Sequence, residues 1–203
     1  MKKIKLLFIG ALSLVVFGLL LPQPIQALLV IIDTPIKNFF VIHTLSLCII
    51  VGIIQGISEE CGYYFVLKQI SKNEQLKSLP FWFGLGRSLL HTLFDIGTII
   101  VTFTNIRVFI FSIVSRMFTF AAMMKLTKID YLSYQKKKAL FLGLSVLLHA
   151  ILNGTLYAYE LQLFNATANF DIWFMLIYSI AVIVISSIIC RKELTGRAVL
   201  ESN

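Results

Sequence analysis

Seven ionisable side chains lie where an apolar chain would be expected to hold none. Glu59, Glu60, Arg87, His91, Asp95, Arg116 and His149 fall inside hydrophobic runs, with Asn153 as an uncharged companion. Charged groups at membrane depth are costly, so they turn toward a bundle interior or a wet cavity. His149 and Asn153 stand one helical turn apart and share a face. Arg87, His91 and Asp95 repeat at the same spacing, and Ser88, Thr98 and Thr102 widen that stripe. A glutamate and imidazoles are the groups of general acid–base work. Glu59 with His91 would polarise a water, and His149 with Asn153 would donate hydrogen bonds to an oxyanion. Two imidazoles and a carboxylate (Glu59, His91 and His149) also form the open three-ligand set of a catalytic zinc. The sequence leaves both chemistries open, so the cofactor is none or a divalent metal such as zinc. The spacing HExxH, which would mark a familiar zinc site, is absent.

Such groups need a scaffold that lives in lipid. Of the 203 residues, 58% are hydrophobic and 14% charged, against roughly 45–50% and about 25% in soluble domains. The composition excludes a soluble globular enzyme, a disordered tail and a nucleic-acid-binding module. The net charge of +8 resides mostly in Lys and Arg between apolar runs. That placement makes anionic lipid headgroups the partner rather than nucleic acid. Cys48, Cys61 and Cys190 show no CxxC spacing and read as free thiols in apolar surroundings.

A membrane helix needs about 20 apolar residues. Six are expected, over 4–21, 40–68, 79–104, 107–125, 139–159 and 170–190, in one transmembrane domain spanning 1–203. The first, preceded by Lys2, Lys3 and Lys5, resembles a signal peptide but is read as a retained span. Pro22-Gln23-Pro24 should break it, leaving Ile25–Ile32 as a short interfacial or re-entrant piece. Period-two alternation is missing, so a barrel is excluded. Basic residues gather at the N-terminal tip, after the second and fourth spans and in the C-terminal tail, which places both termini in the cytoplasm of a multi-pass cell-membrane protein. With a rise of about 1.5 Å per residue, Glu59 lies about 14 Å, His91 about 18 Å and His149 about 15 Å from that face. Three helices thus bring a carboxylate and two imidazoles to similar depth. Gly52 and Gly56 form a GxxxG pair that permits close helix packing. The sequons at Asn153 and Asn165 read as chance matches, and His43 as structural.

The order Glu-Glu, then a His in the next span, then His-x-x-x-Asn resembles the CPBP superfamily of intramembrane proteases, which includes CAAX prenyl proteases and bacteriocin-processing proteins. The strings Gly56-Ile-Ser-Glu-Glu-Cys-Gly-Tyr-Tyr64, Phe83-Gly-Leu-Gly-Arg87 and Leu148-His-Ala-Ile-Leu-Asn153 are most similar to its YhfC-type membrane peptidases. The resemblance covers about residues 48 to 155. It implies a helical bundle in which Glu59 activates water beside Glu60, His91 and His149 are the catalytic imidazoles, and Asn153 is an oxyanion donor. Three places depart from the pattern. Tyr63 and Tyr64 stand where the family has an Arg a turn after the glutamates. Arg87 takes the place of a His, and His91 that of an acid.

The expected function is therefore hydrolysis of a peptide bond in a membrane-associated peptide or lipidated peptide. Two alternatives remain: a non-enzymatic immunity or scaffold protein with a degenerate site, and a small transporter subunit.

Overall fold

The structure, a computed structural model, describes residues 2–31, 43–73, 78–101, 106–161 and 170–200. Every element among them is helical: α1 (Lys2–Ser13), a π-helical stretch (Leu14–Leu20), α2 (Pro22–Ile31), α3 (Thr44–Asn73), α4 (Leu79–Val101), α5 (Ile106–Lys136), α6 (Ala139–Glu160) and α7 (Phe170–Leu200). The protein is an all-α polytopic bundle. Five stretches have the length and hydropathy to cross a membrane: Lys3–Leu28, Thr44–Ser71, Phe109–Lys136, Ala139–Ala158 and Ile172–Lys192. At 23 residues α4 has the length, but it carries Arg87, His91 and Asp95 and is not among them.

Three expectations are corrected. The first span does not end at Pro22. The chain turns at Leu21 and helix resumes with Pro22 at its first position, where a missing N–H costs nothing. The stretch from Ile25 to Ile31 thus belongs to α2 rather than to a separate short piece. The fourth span does not stop at 125; α5 runs on to Lys136 and leaves only Lys137 and Lys138 before α6. The last helix extends to Leu200 rather than 190. Residues 40–42, 102–104, Asp33-Thr34-Pro35 and Asn165-Ala166-Thr167 lie outside the described residues.

Side-chain and backbone approaches give the direction of each helix. Gly52 on α3 lies against the Ala150 carbonyl, and Gly56 against that of Val146, so α3 and α6 run antiparallel. A Cβ on Gly56 would come within 2.6 Å of the Val146 oxygen, which is why only glycine allows this approach. Asp95 meets Arg116 while Gly84 meets Thr127, so α4 and α5 are also antiparallel. Thr119 meets Ser179 and Lys125 meets Ser187, so α5 and α7 are parallel. Lys3 sits over the Trp82 ring, 5.5 Å from its centroid, which places the starts of α1 and α4 at one end. The helices therefore alternate, and the basic segments around Lys3, Lys68, Lys136–Lys138 and Arg191–Lys192 collect at that same end.

Two apolar clusters hold the bundle. Leu6, Leu14, Tyr63, Leu67, Leu79 and Phe83 join α1, the π stretch, α3 and α4. Ala122, Met123, Leu126, Ile129, Leu152, Met175 and Val182 join α5, α6 and α7. Phe8, Phe65, Leu93, Met117, Leu140 and Ile177 remain exposed on the rim, the distribution of a bundle whose outer face meets acyl chains rather than water.

Candidate functional site

Glu59 and Glu60 leave α3 in different directions, as consecutive helical residues must, since they are about 100° apart around the axis. Glu60 points into a closed cluster between α3, α4, α5 and α6. Arg87 from α4 binds it with both guanidinium nitrogens, Nη2 to Oε1 at 2.5 Å and Nη1 to Oε2 at 3.3 Å. Ser145 donates to Oε2 at 3.0 Å, and His149 Nδ1 bonds Oε1. Arg87 lies flat beneath Tyr63, its guanidinium carbon 3.7 Å from the ring centroid. α3 and α4 barely touch along their backbones, so the length of the arginine side chain is what bridges them. The pattern that the motifs resemble has an Arg where Tyr63 and Tyr64 stand; here the cation comes from α4, and Tyr63 supplies the face it stacks on.

The sequence reading missed Asp130. It is fully buried beside this cluster, with Oδ2 3.8 Å from Arg87 Nη1. Neither of its oxygens has a hydrogen-bond partner among the described residues. The residue sits between Lys128 and Lys136 in a stretch that reads as a cytoplasmic connection. The available signal was helical period: Leu126, Ile129 and Asp130 fall on the buried face while Lys128 is exposed. Ser145 and Thr127 were likewise unmarked, and both are buried against the same charges.

Glu59 faces the other way. It lines a cavity of about 140 Å³ with Gln55, His91, Asp95, Asn153 and Gly18. Tyr63 donates to its Oε2 at 3.0 Å, and Gln55 Nε2 reaches its Oε1 at 2.5 Å. His149 Nε2 stands 3.5 Å from Oε1, so the His149 ring lies between the two glutamates. Gln55 also donates to the Gly18 carbonyl at 2.8 Å, and Ser58 to that of Phe17 at 2.7 Å. The π-helical stretch thus presents two carbonyls to α3 side chains and fixes the wall of the cavity, a use of π geometry common at functional sites.

The polar stripe of α4 is divided between the two environments. Arg87 belongs to the Glu60 cluster. His91 bonds Asp95 through Nδ1 at 3.2 Å, and Arg116 of α5 holds the same carboxylate at 3.4 Å. The stripe lies across the seam between α3 and α5, and its two ends meet different partners. Asn153 donates to the His149 carbonyl at 3.2 Å and lines the cavity.

The structure therefore gathers Glu59, His91, Asp95 and Asn153 around one cavity, and Glu60, Arg87 and His149 in the adjoining closed cluster. Among the described residues no group of three or more His, Cys, Asp and Glu side chains is placed to hold a metal ion. Glu59, His91 and His149 thus do not assemble as the expected ligand set: His91 turns its Nδ1 to Asp95, and His149 is held by Glu60. Cys48, Cys61 and Cys190 are free thiols. His43 is exposed just ahead of α3, its carbonyl accepting from Ser46 at 2.9 Å.

Compared with protein-family models, with curated proteins and with solved structures, the chain matches none.

Proposed function

We propose that this protein is a membrane-embedded peptidase in which Glu59 activates a water inside the α3–α4–α6 cavity. The observation that carries the reading is that Glu59, His91 and Asn153 line one cavity of about 140 Å³, room for a few waters at about 30 Å³ each. Glu59 takes the proton of the attacking water as its oxygen adds to the peptide carbonyl carbon. His91, oriented through Nδ1 by Asp95, gives the proton on its Nε2 to the leaving amine and regains the one that Glu59 removed from water. Asn153 uses one N–H on the His149 carbonyl and keeps the other for the oxyanion. The closed Glu60–Arg87–His149 cluster holds α3 and α6 in register behind Glu59. The resemblance of its motifs to those of intramembrane proteases supports the same reading, in which the substrate is a membrane-associated or lipidated peptide.

A non-enzymatic immunity or scaffold role is favoured by one observation: Glu60, Arg87 and His149 are bonded to one another rather than open to the cavity. One experiment separates the two. Protein reconstituted in vesicles is incubated with a panel of membrane-anchored peptides, and new termini are read by mass spectrometry. Cleavage that disappears in Glu59→Gln, with thermal unfolding unchanged, supports the peptidase. Cleavage of equal extent in Glu59→Gln, or none by the unaltered protein across the panel, overturns it.

A further inference from the structure

A second cavity, of about 370 Å³, opens at the basic end of the bundle, remote from the Glu59 pocket. Its walls are Tyr64 and Lys68 from α3, Ser133 and Tyr134 from α5, Lys137 from the junction, and Ala139 and Leu142 from the first turn of α6. Two lysines and two tyrosines therefore border one concavity whose lining is mostly apolar and holds no acidic side chain. Lys68 and Lys137 are both exposed. The first turn of α6 has no acidic residue either, so no side-chain charge offsets the positive end of its dipole.

Lys137 makes this arrangement harder to dismiss as ordinary surface charge. It has φ of 51° and is the sole non-glycine with positive φ among the described residues. It occupies the turn that closes α5, with Lys137 N–H on the Tyr134 carbonyl at 3.4 Å and Lys138 N–H on that of Ser133 at 3.2 Å. Glycine is the residue this position favours. A lysine there keeps a strained backbone and directs a long cationic side chain to the rim of the cavity.

We infer that this cavity binds the phosphate of an anionic headgroup, with Lys68 and Lys137 as its charge partners and the Tyr64 and Tyr134 hydroxyls as donors; the Ser133 hydroxyl is already committed to the Lys138 carbonyl at 3.0 Å. Phosphate chemistry fits because its oxygens accept from several directions at once, and ammonium groups bind it as point charges. The tyrosines suit a headgroup level, where a ring is apolar on one side and wet on the other. The inference does not depend on the peptidase reading, since none of these residues lines the Glu59 cavity.

The test uses full-length protein in a phosphatidylcholine-rich detergent mixture, with phosphatidylglycerol added and bound lipid counted by native mass spectrometry. Lys68→Gln/Lys137→Gln is compared with Lys5→Gln/Lys192→Gln, which removes the same charge at the same end. The expected result is retention of phosphatidylglycerol over phosphatidylcholine that falls about tenfold or more in the first pair and stays near the unaltered level in the second. Inorganic phosphate alone is the second probe. If it displaces the lipid at millimolar concentration, the site recognises free phosphate as well as a lipid; if it does not, the lipid is the source. Both results support phosphate recognition in the cavity. Equal losses in both pairs, or no preference for phosphatidylglycerol, overturn it and leave only diffuse surface charge.

Discussion

Glu59 and Glu60 are adjacent in the chain, and the His149 ring stands between their carboxylates. Glu60 is fully buried and is bound by Arg87, Ser145 and His149. Glu59 opens on the polar cavity, anchored by Tyr63 and Gln55. One glutamate is locked between four helices, and the other lines a cavity.

Arg87 should be the side chain on which folding depends most. It faces Glu60 directly, with Asp130 and Glu59 each 3.8 Å away. Arg87→Met leaves these acids without their cation and is expected to destabilise by about 3–5 kcal/mol, read as a lowered unfolding temperature in detergent. Arg87→Lys should recover only part of the loss, because a single ammonium cannot make both bonds to Glu60.

Asp130 is expected to behave oppositely. Three carboxylates crowd one guanidinium, and the Asp130 oxygens have no hydrogen-bond partner among the described residues. Asparagine keeps the shape and brings N–H donors to the neighbouring Glu60 carboxylate. Asp130→Asn should leave the unfolding temperature unchanged or raise it, while Glu60→Gln lowers it.

The α3–α6 seam should reject any added side-chain atom. Gly56→Ala places a Cβ 2.6 Å from the Val146 carbonyl and should cost about 1–3 kcal/mol as the helices part. Gly97 on α4 has nothing within 4 Å of a Cβ. Gly97→Ala should instead stabilise by about 0.5–1 kcal/mol, since alanine restricts the unfolded chain and favours helix. Thermal unfolding of the two variants side by side checks both signs.

Asp95 should affect rate more than stability. It orients His91 and is itself held by Arg116. If the cavity hydrolyses peptides, Asp95→Asn should lower turnover by about 10–100-fold with near-unchanged unfolding, as loss of a ring-orienting partner does elsewhere. Initial cleavage rates at saturating substrate provide the readout.

The run of apolar segments and the interruptions by Lys-rich connections determined that the protein is a helical membrane bundle. The same spacing determined which polar groups lie in helices, and that His149 shares a face with Asn153. A helix's own period fixes the angle of each side chain around its axis but says nothing about which neighbour stands there. Only packing decided that Arg87 would leave its stripe for Glu60 while His91 and Asp95 turned to the other cavity. Asp130 escaped notice because its lysine neighbours read as a connection, and only the continuation of α5 to Lys136 turned that acid inward. The close approach of α3 to α6 at Gly52 and Gly56 put His149 against both glutamates, because backbones that meet without side chains between them leave their flanking polar groups within bonding distance.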